Sequence, residues 1–174
     1  MKSIPLLALS LFVFWIVSST AYGATATQSG NWSDSATWGG SPPSGNEEDV
    51  VIPMDVTVTL DTSDEVGEIR VMGKLTVATG TYELTCDSLI VMGANSELEI
   101  GTESERYSGD FTLTLKGEQP ESFMHMGHDM GWRALLALNG GTLNLHGEDR
   151  VEWTRLDANV EAGSNSITMA EAVD

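Results

Sequence analysis

The sequence predicts an all-β fold, a right-handed parallel β-helix-like solenoid with glycine corners and an N-terminal capping loop. Two observations carry that expectation. Short segments alternate apolar and polar residues with a period of two, the pattern of half-buried strands, and no sustained helical period appears. A strand–glycine–strand unit also recurs: RVMGKLTVATG and IVMGANSELEIG share an apolar residue, Met-Gly, a short turn and a second alternating segment. Gly73 and Gly93 lie 20 residues apart, and ALNGGTLNLHG repeats the form. Units of this size suit coils that stack inward residues on one another, with glycine permitting the backbone corners. A β-sandwich of hairpins is the competing architecture.

The first segment, MKSIPLLALSLFVFWIVSSTAYG, starts with Lys2, runs apolar from Ile4 to Val17 and ends on the small residues Ala21 and Gly23. That is a secretory signal peptide over 1–23, because the run falls short of the ~20 residues needed to span a bilayer. No later segment is apolar enough to cross a membrane. Residues 24–48 contain NWSDSATWGGSPPSG, with two tryptophans and no strand period. They read as a capping loop over an otherwise exposed sheet edge, with Trp32 and Trp38 packing.

Over 49–147 the strands follow one another. VTVTL sets Val56, Val58 and Leu60 on one face; IRV and LTV flank Gly73; LIV and LEI flank Gly93. FTLTL gives Phe111, Leu113 and Leu115, and LLAL and TLNL flank Gly140 and Gly141. In TLNL the alternation points Leu143 and Leu145 inward, Asn144 and His146 outward. Trp132 to Leu138 is the one stretch where a short helix competes. Residues 148–174 close on NSITMAEAVD with no polar cap, and read as the start of further β coils.

Composition limits the function. Hydrophobic residues at 41% and charged residues at 20% are globular rather than disordered proportions. Eight Lys+Arg against 26 Asp+Glu give a net charge of −18, which excludes a phosphate-tracking surface and so a nucleic-acid partner. It also opposes attraction to polyanions in general. The single cysteine, Cys86, excludes an internal disulfide framework and a multi-cysteine zinc site; within ELTCDSLIVM it reads as a buried, inert thiol.

The densest chemical cluster is ESFMHMGHDMGW. It brings His125, His128 and Asp129 together with Met124, Met126 and Met130, a set that could take a divalent metal. Imidazole with thioether suits copper, and zinc accepts imidazole and carboxylate; calcium would sit instead in an acidic loop such as GNEED, although no complete Asp-x-Asp-x-Asp-Gly loop is present. The competing reading is a loop whose methionines pack. Carboxylates are plentiful, but nothing marks the one pair a glycosidase needs. Trp132 and Trp153 offer apolar rings for sugar faces, and Arg133 and Arg155 could meet a carboxylated sugar. Neutralisation of those arginines and Arg150 by Glu148, Asp149, Glu152 and Asp157 is the structural alternative. Asn31-Trp32-Ser33 is a glycosylation sequon.

The order GNWSDSATWGGSPPSG, VVIPMDVTVTLD, IRVMGKLTV, LIVMGANSELEIGT and ALLALNGGTLNLHG resembles the G-eight domain, a family named for its eight glycines. The resemblance runs from about Asn31 to Gly147. It implies an extracellular, glycine-cornered β fold of the kind carried by animal hyaluronan-degrading cell-surface proteins, by fibrocystin and by secreted bacterial proteins. It also implies ligand binding or processing directed at polysaccharides, and carries no catalytic residue onto this chain.

The expectation is therefore a secreted or cell-surface module that binds or presents an extracellular polysaccharide, glycosaminoglycan-like or neutral, with downstream domains of the same protein as further partners. The expected sugar contacts are Trp132, Arg133, Trp153 and Arg155. The alternatives are a hyaluronidase-like enzyme whose active site lies downstream, and a structural or adhesive module without sugar binding.

Overall fold

A computed structural model describes residues 23–45, 48–116, 124–149 and 154–170. The expected leader, apart from Gly23, lies outside the described residues, as do Arg150 and Trp153.

The chain is all-β, with parallel sheets and no closed barrel. Its first pass contributes β1 (Ala24–Thr25) and β2 (Gly30–Asn31), followed by a one-turn helix, α1 (Ser35–Trp38). The next pass is β3 (Val50–Ile52), β4 (Thr57–Leu60) and β5 (Asp64–Glu65). Then come β6 (Ile69–Val71), β7 (Lys74–Val77) and β8 (Thr81–Cys86). A further pass is β9 (Leu89–Met92), β10 (Glu97–Ile100) and β11 (Asp110–Leu115). After a hairpin of β12 (Met124–His125) and β13 (His128–Asp129), β14 (Leu135–Leu138) and β15 (Thr142–Leu145) complete the series.

Successive passes add to the first and second sheets in the same order, and the three middle passes also to a third. The first sheet is β1-β3-β6-β9-β14, the second β2-β4-β7-β10-β15 and the third β5-β8-β11, all paired in parallel. A hairpin-built sandwich would pair sequence neighbours antiparallel. Among the described strands only β12 and β13 do so. The ambiguous stretch before Leu138 is strand from Leu135, because each of its residues has a parallel partner in β9.

The register makes apolar columns. Val50, Ile69 and Leu89 stack in the first sheet, Val58, Leu75 and Leu98 in the second, and all six are buried. Each side chain of this size removed from water contributes about 1.5–3 kcal/mol, so the columns supply the main cohesion. Next in the second sheet come Leu143, 36% exposed, and Leu145, 51% exposed. They continue the inward columns of Leu98 and Ile100, as alternation expects, but among the described residues no further strand of this sheet lies over them.

At the opposite end Trp32 and Trp38 are buried, with ring centroids 5.2 Å apart in an edge-on arrangement. Trp32 Nε1 donates to Asp64 Oδ2 at 2.7 Å, and Trp38 Nε1 donates to the Trp32 carbonyl at 2.7 Å. Asp34 caps α1 by accepting from the Ala36 amide, and Gly39 closes it in the left-handed region. The segment expected as an irregular loop therefore includes two short strands in register with the sheets.

The two glycines of the repeated Met-Gly corner are required for different reasons. At Gly73 a Cβ would run into the carbonyl oxygens of Pro53 and Val56. At Gly93 the space is open, but φ is +115°, which L side chains avoid.

Within 148–174, the described residues hold one antiparallel bridge, Leu156 to Met169, and no strand. No helix among the described residues is long and apolar enough to cross a membrane.

Candidate functional site

Alternation along β4, β7, β10 and β15 sends one set of side chains into the core and the other onto the outer face of the second sheet. Register then aligns the outer set into two rows. Thr57, Lys74, Glu97 and Thr142 form one; Thr59, Thr76, Glu99 and Asn144 form the other. β-branched threonines suit such a pleated, half-covered surface.

Direct contacts tie the rows together. Lys74 Nζ lies 2.8 Å from Glu99 Oε1 and 3.3 Å from Glu97 Oε2. Asn144 Nδ2 donates to Glu97 Oε1 at 3.1 Å, and His146 Nε2 donates to Asn144 Oδ1 at 2.7 Å. Burial pulls the Lys74 ammonium down, but the hydrogen bonds to Glu99 and Glu97 and their charges outweigh it and hold the group above its ordinary value. The result is a flat face of fixed hydroxyl, amide, carboxylate and ammonium groups. It has one cation for two carboxylates, so it is locally acidic like the whole chain.

The outer face of the first sheet differs. Val51, Arg70, Ile90 and Leu136 are its aligned residues, and Met92 stands beside Leu138. Ile90 is fully buried although it points away from the main core. Arg70, on the same row, pairs with Glu68.

Of the expected sugar contacts, Trp132, Arg133 and Arg155 fall within the described residues. Trp132 is half-buried and Arg133 exposed, and both directly precede β14. Arg155 is on the exposed stretch around the Leu156 bridge, and Trp153 lies outside the described residues. Of the acidic residues expected to neutralise arginines, Asp149 pairs with Arg106 at 3.2 Å. Trp32 and Trp38 are structural, and Asn31 of the sequon is exposed. Sequence reasoning passed over Lys74, Glu97 and Glu99. The signal was present, since aligning KLT with ELE in the repeat already sets Lys74 beside Glu97 and Thr76 beside Glu99.

The histidine cluster forms the β12–β13 hairpin. His125 pairs with His128, and Met124 with Asp129. Met126 and Gly127 form the turn with φ of +49° and +83°, the sign pattern of a two-residue hairpin turn. Directly opposed residues share a face, so the two imidazoles stand together while Asp129 is on the other side. The Asp129 carboxylate accepts from the Gly131 amide at 2.8 Å. Among the described residues no group of three or more His, Cys, Asp or Glu could hold a metal ion.

Cys86 is fully buried, and burial, reinforced by Asp87 and opposed by Lys116, pushes its thiol up to about 12. A protonated, inaccessible sulfur is unsuited to nucleophilic chemistry.

Residues 37–157 match the profile described as the G8 domain. Over 147 residues the chain is 31% identical to Fibrocystin-L of Mus musculus, a match covering 82% of this chain and 3% of that protein. Over 73 residues it is 37% identical to Cell surface hyaluronidase of Danio rerio, covering 42% of this chain and 5% of that protein. The chain thus corresponds to a small fraction of either relative's length. No solved structure matches it significantly.

Proposed function

The chain belongs to the G8 domain family, and from that premise we propose that it is an extracellular module that binds a polysaccharide along the outer face of its second sheet. The observation that carries the reading is the pair of aligned polar rows on that face. Strands about 4.8 Å apart repeat at nearly the rise of one sugar ring in an extended chain, so successive rungs can meet successive hydroxyl groups.

Charge narrows the ligand. Lys74 is outnumbered by Glu97 and Glu99, within a chain of net charge −18. A neutral, extended glycan fits such a face better than a polyanion does. The relative named as a cell surface hyaluronidase supports the carbohydrate direction, and a hyaluronan-like chain would need its carboxylates held by Arg133 or Arg155.

The rotation through three parallel sheets is what a right-handed β-helix would produce, given the strong handedness preference of parallel crossovers. In that architecture the module is secreted after loss of the 1–23 leader. It presents its ligand to further domains of the same protein, as the much greater length of the relatives suggests.

Affinity electrophoresis tests the reading. Gels containing neutral glucans or xylan should retard the intact protein, and Thr76→Ala with Asn144→Ala should reduce the retardation. A chain that no polysaccharide retards, neutral or anionic, contradicts the proposal.

A further inference from the structure

Beyond the sugar-binding face, we propose that the β12–β13 hairpin is a copper site in which His125 and His128 are the two protein ligands.

Cross-strand pairing of these histidines fixes the geometry. Opposed residues have Cβ atoms about 4.5–5.5 Å apart on one face, so both imidazoles can turn one nitrogen toward a common ion. Two nitrogens bound at about 2.0–2.1 Å to one metal lie within about 4 Å of each other, which such a pair spans without moving the backbone. The sequence alone suggests His125, His128 and Asp129 as one ligand set. The structure separates them, because Asp129 pairs with Met124 on the opposite face and is already engaged by the Gly131 amide.

That separation selects the metal. A structural zinc site is closed by four tetrahedral ligands, and the described residues offer no third His, Cys, Asp or Glu here. Calcium would require carboxylate and carbonyl oxygens rather than imidazole. Copper(II) lies at the top of the divalent affinity order and accepts a tetragonal site of two imidazoles completed by water. His128 is exposed and His125 half-buried, which leaves room for those waters. Met126, in the turn between the two imidazoles, is 85% exposed and in the left-handed region that a methionine rarely adopts. Turn chemistry alone would prefer asparagine there.

Equilibrium dialysis of the intact protein against copper(II), with paramagnetic resonance of the bound ion, tests the site. One copper per chain should bind, with superhyperfine splitting from two equivalent imidazole nitrogens. His125→Ala and His128→Ala should each weaken binding beyond the roughly tenfold that even an outer-shell partner is worth. Asp129→Asn should leave it unchanged. The hairpin is exposed, so circular dichroism of each variant should match the parent. Absence of stoichiometric copper would overturn the proposal. So would a loss in Asp129→Asn equal to that in the histidine variants, or displacement of the copper by equimolar zinc.

Discussion

The first and second sheets are built from the same passes of chain and share one core, yet their outer faces have opposite characters. On the second, Thr59, Thr76, Glu99 and Asn144 are aligned and half-buried. On the first, Ile90 stands on the equivalent outward row and is fully buried. Strand alternation assigns a residue to a face, but whether that face meets water is decided by what lies over it. The second sheet thus presents a half-exposed polar face, while the first behaves at Ile90 as additional interior.

The sharpest way to break this comparison is to introduce the same charge on both faces. Ile90→Asp buries a carboxylate without a partner, a penalty of several kcal/mol that should abolish cooperative urea unfolding at room temperature. Thr76→Asp should shift the midpoint by less than about 1 kcal/mol, as surface changes do. Equal effects would erase the distinction between the faces.

A second pair compares depth across the neighbouring inward columns of the second sheet. Leu75→Ala removes a buried link and should cost about 2–5 kcal/mol, whereas Leu145→Ala, at an exposed position, should cost under about 1 kcal/mol. Denaturant melts of both variants read the difference directly.

Alkaline pH probes the interior through Cys86. Its thiol is raised from 9.0 to about 12 in the folded chain, so the unfolded state releases that proton first. Stability from this group is fully present below pH 9.0 and is lost as pH climbs toward about 12. The melting temperature should fall across that window, less steeply in Cys86→Ala, and the native thiol should resist Ellman's reagent at pH 8.

The smallest effect belongs to the surface network. Lys74→Met should cost no more than about 1 kcal/mol, since half-exposed ion pairs contribute little. The raised Lys74 ammonium makes that contribution fully present below 10.5 and lost above it. Thermal melts at neutral pH and above pH 11 check both the size and the sign. Binding of a neutral glycan to the same face should also be insensitive to added salt, in contrast to a polyanion.

Most strands were legible because VTVTL, KLTV and ELEI alternate cleanly and the Met-Gly corner repeats. Membership in parallel sheets was legible from that repeat. Pairing across the long interval between Ile100 and Leu135 was not, because a pattern of period two carries no information about which distant strand is the partner. The hairpin escaped for a local reason: Met126-Gly127 lacks the asparagine that marks such a turn, so the opposition of His125 and His128 was hidden and Asp129 was grouped with them. The ladder of Lys74, Glu97, Glu99 and Asn144 was overlooked because each residue looks like ordinary solvated surface until register aligns them. Ile90 could not be placed either, since LIV reads as a continuous apolar run whichever face is covered.

Amide chemical shifts during titration with a neutral oligosaccharide read out whether a glycan lies along the second sheet's outer face. Shifts should cluster at Thr59, Thr76, Glu99 and Asn144, with Val51, Arg70 and Ile90 unmoved. Shifts confined to the first sheet, or none at saturating sugar, would contradict binding on that face.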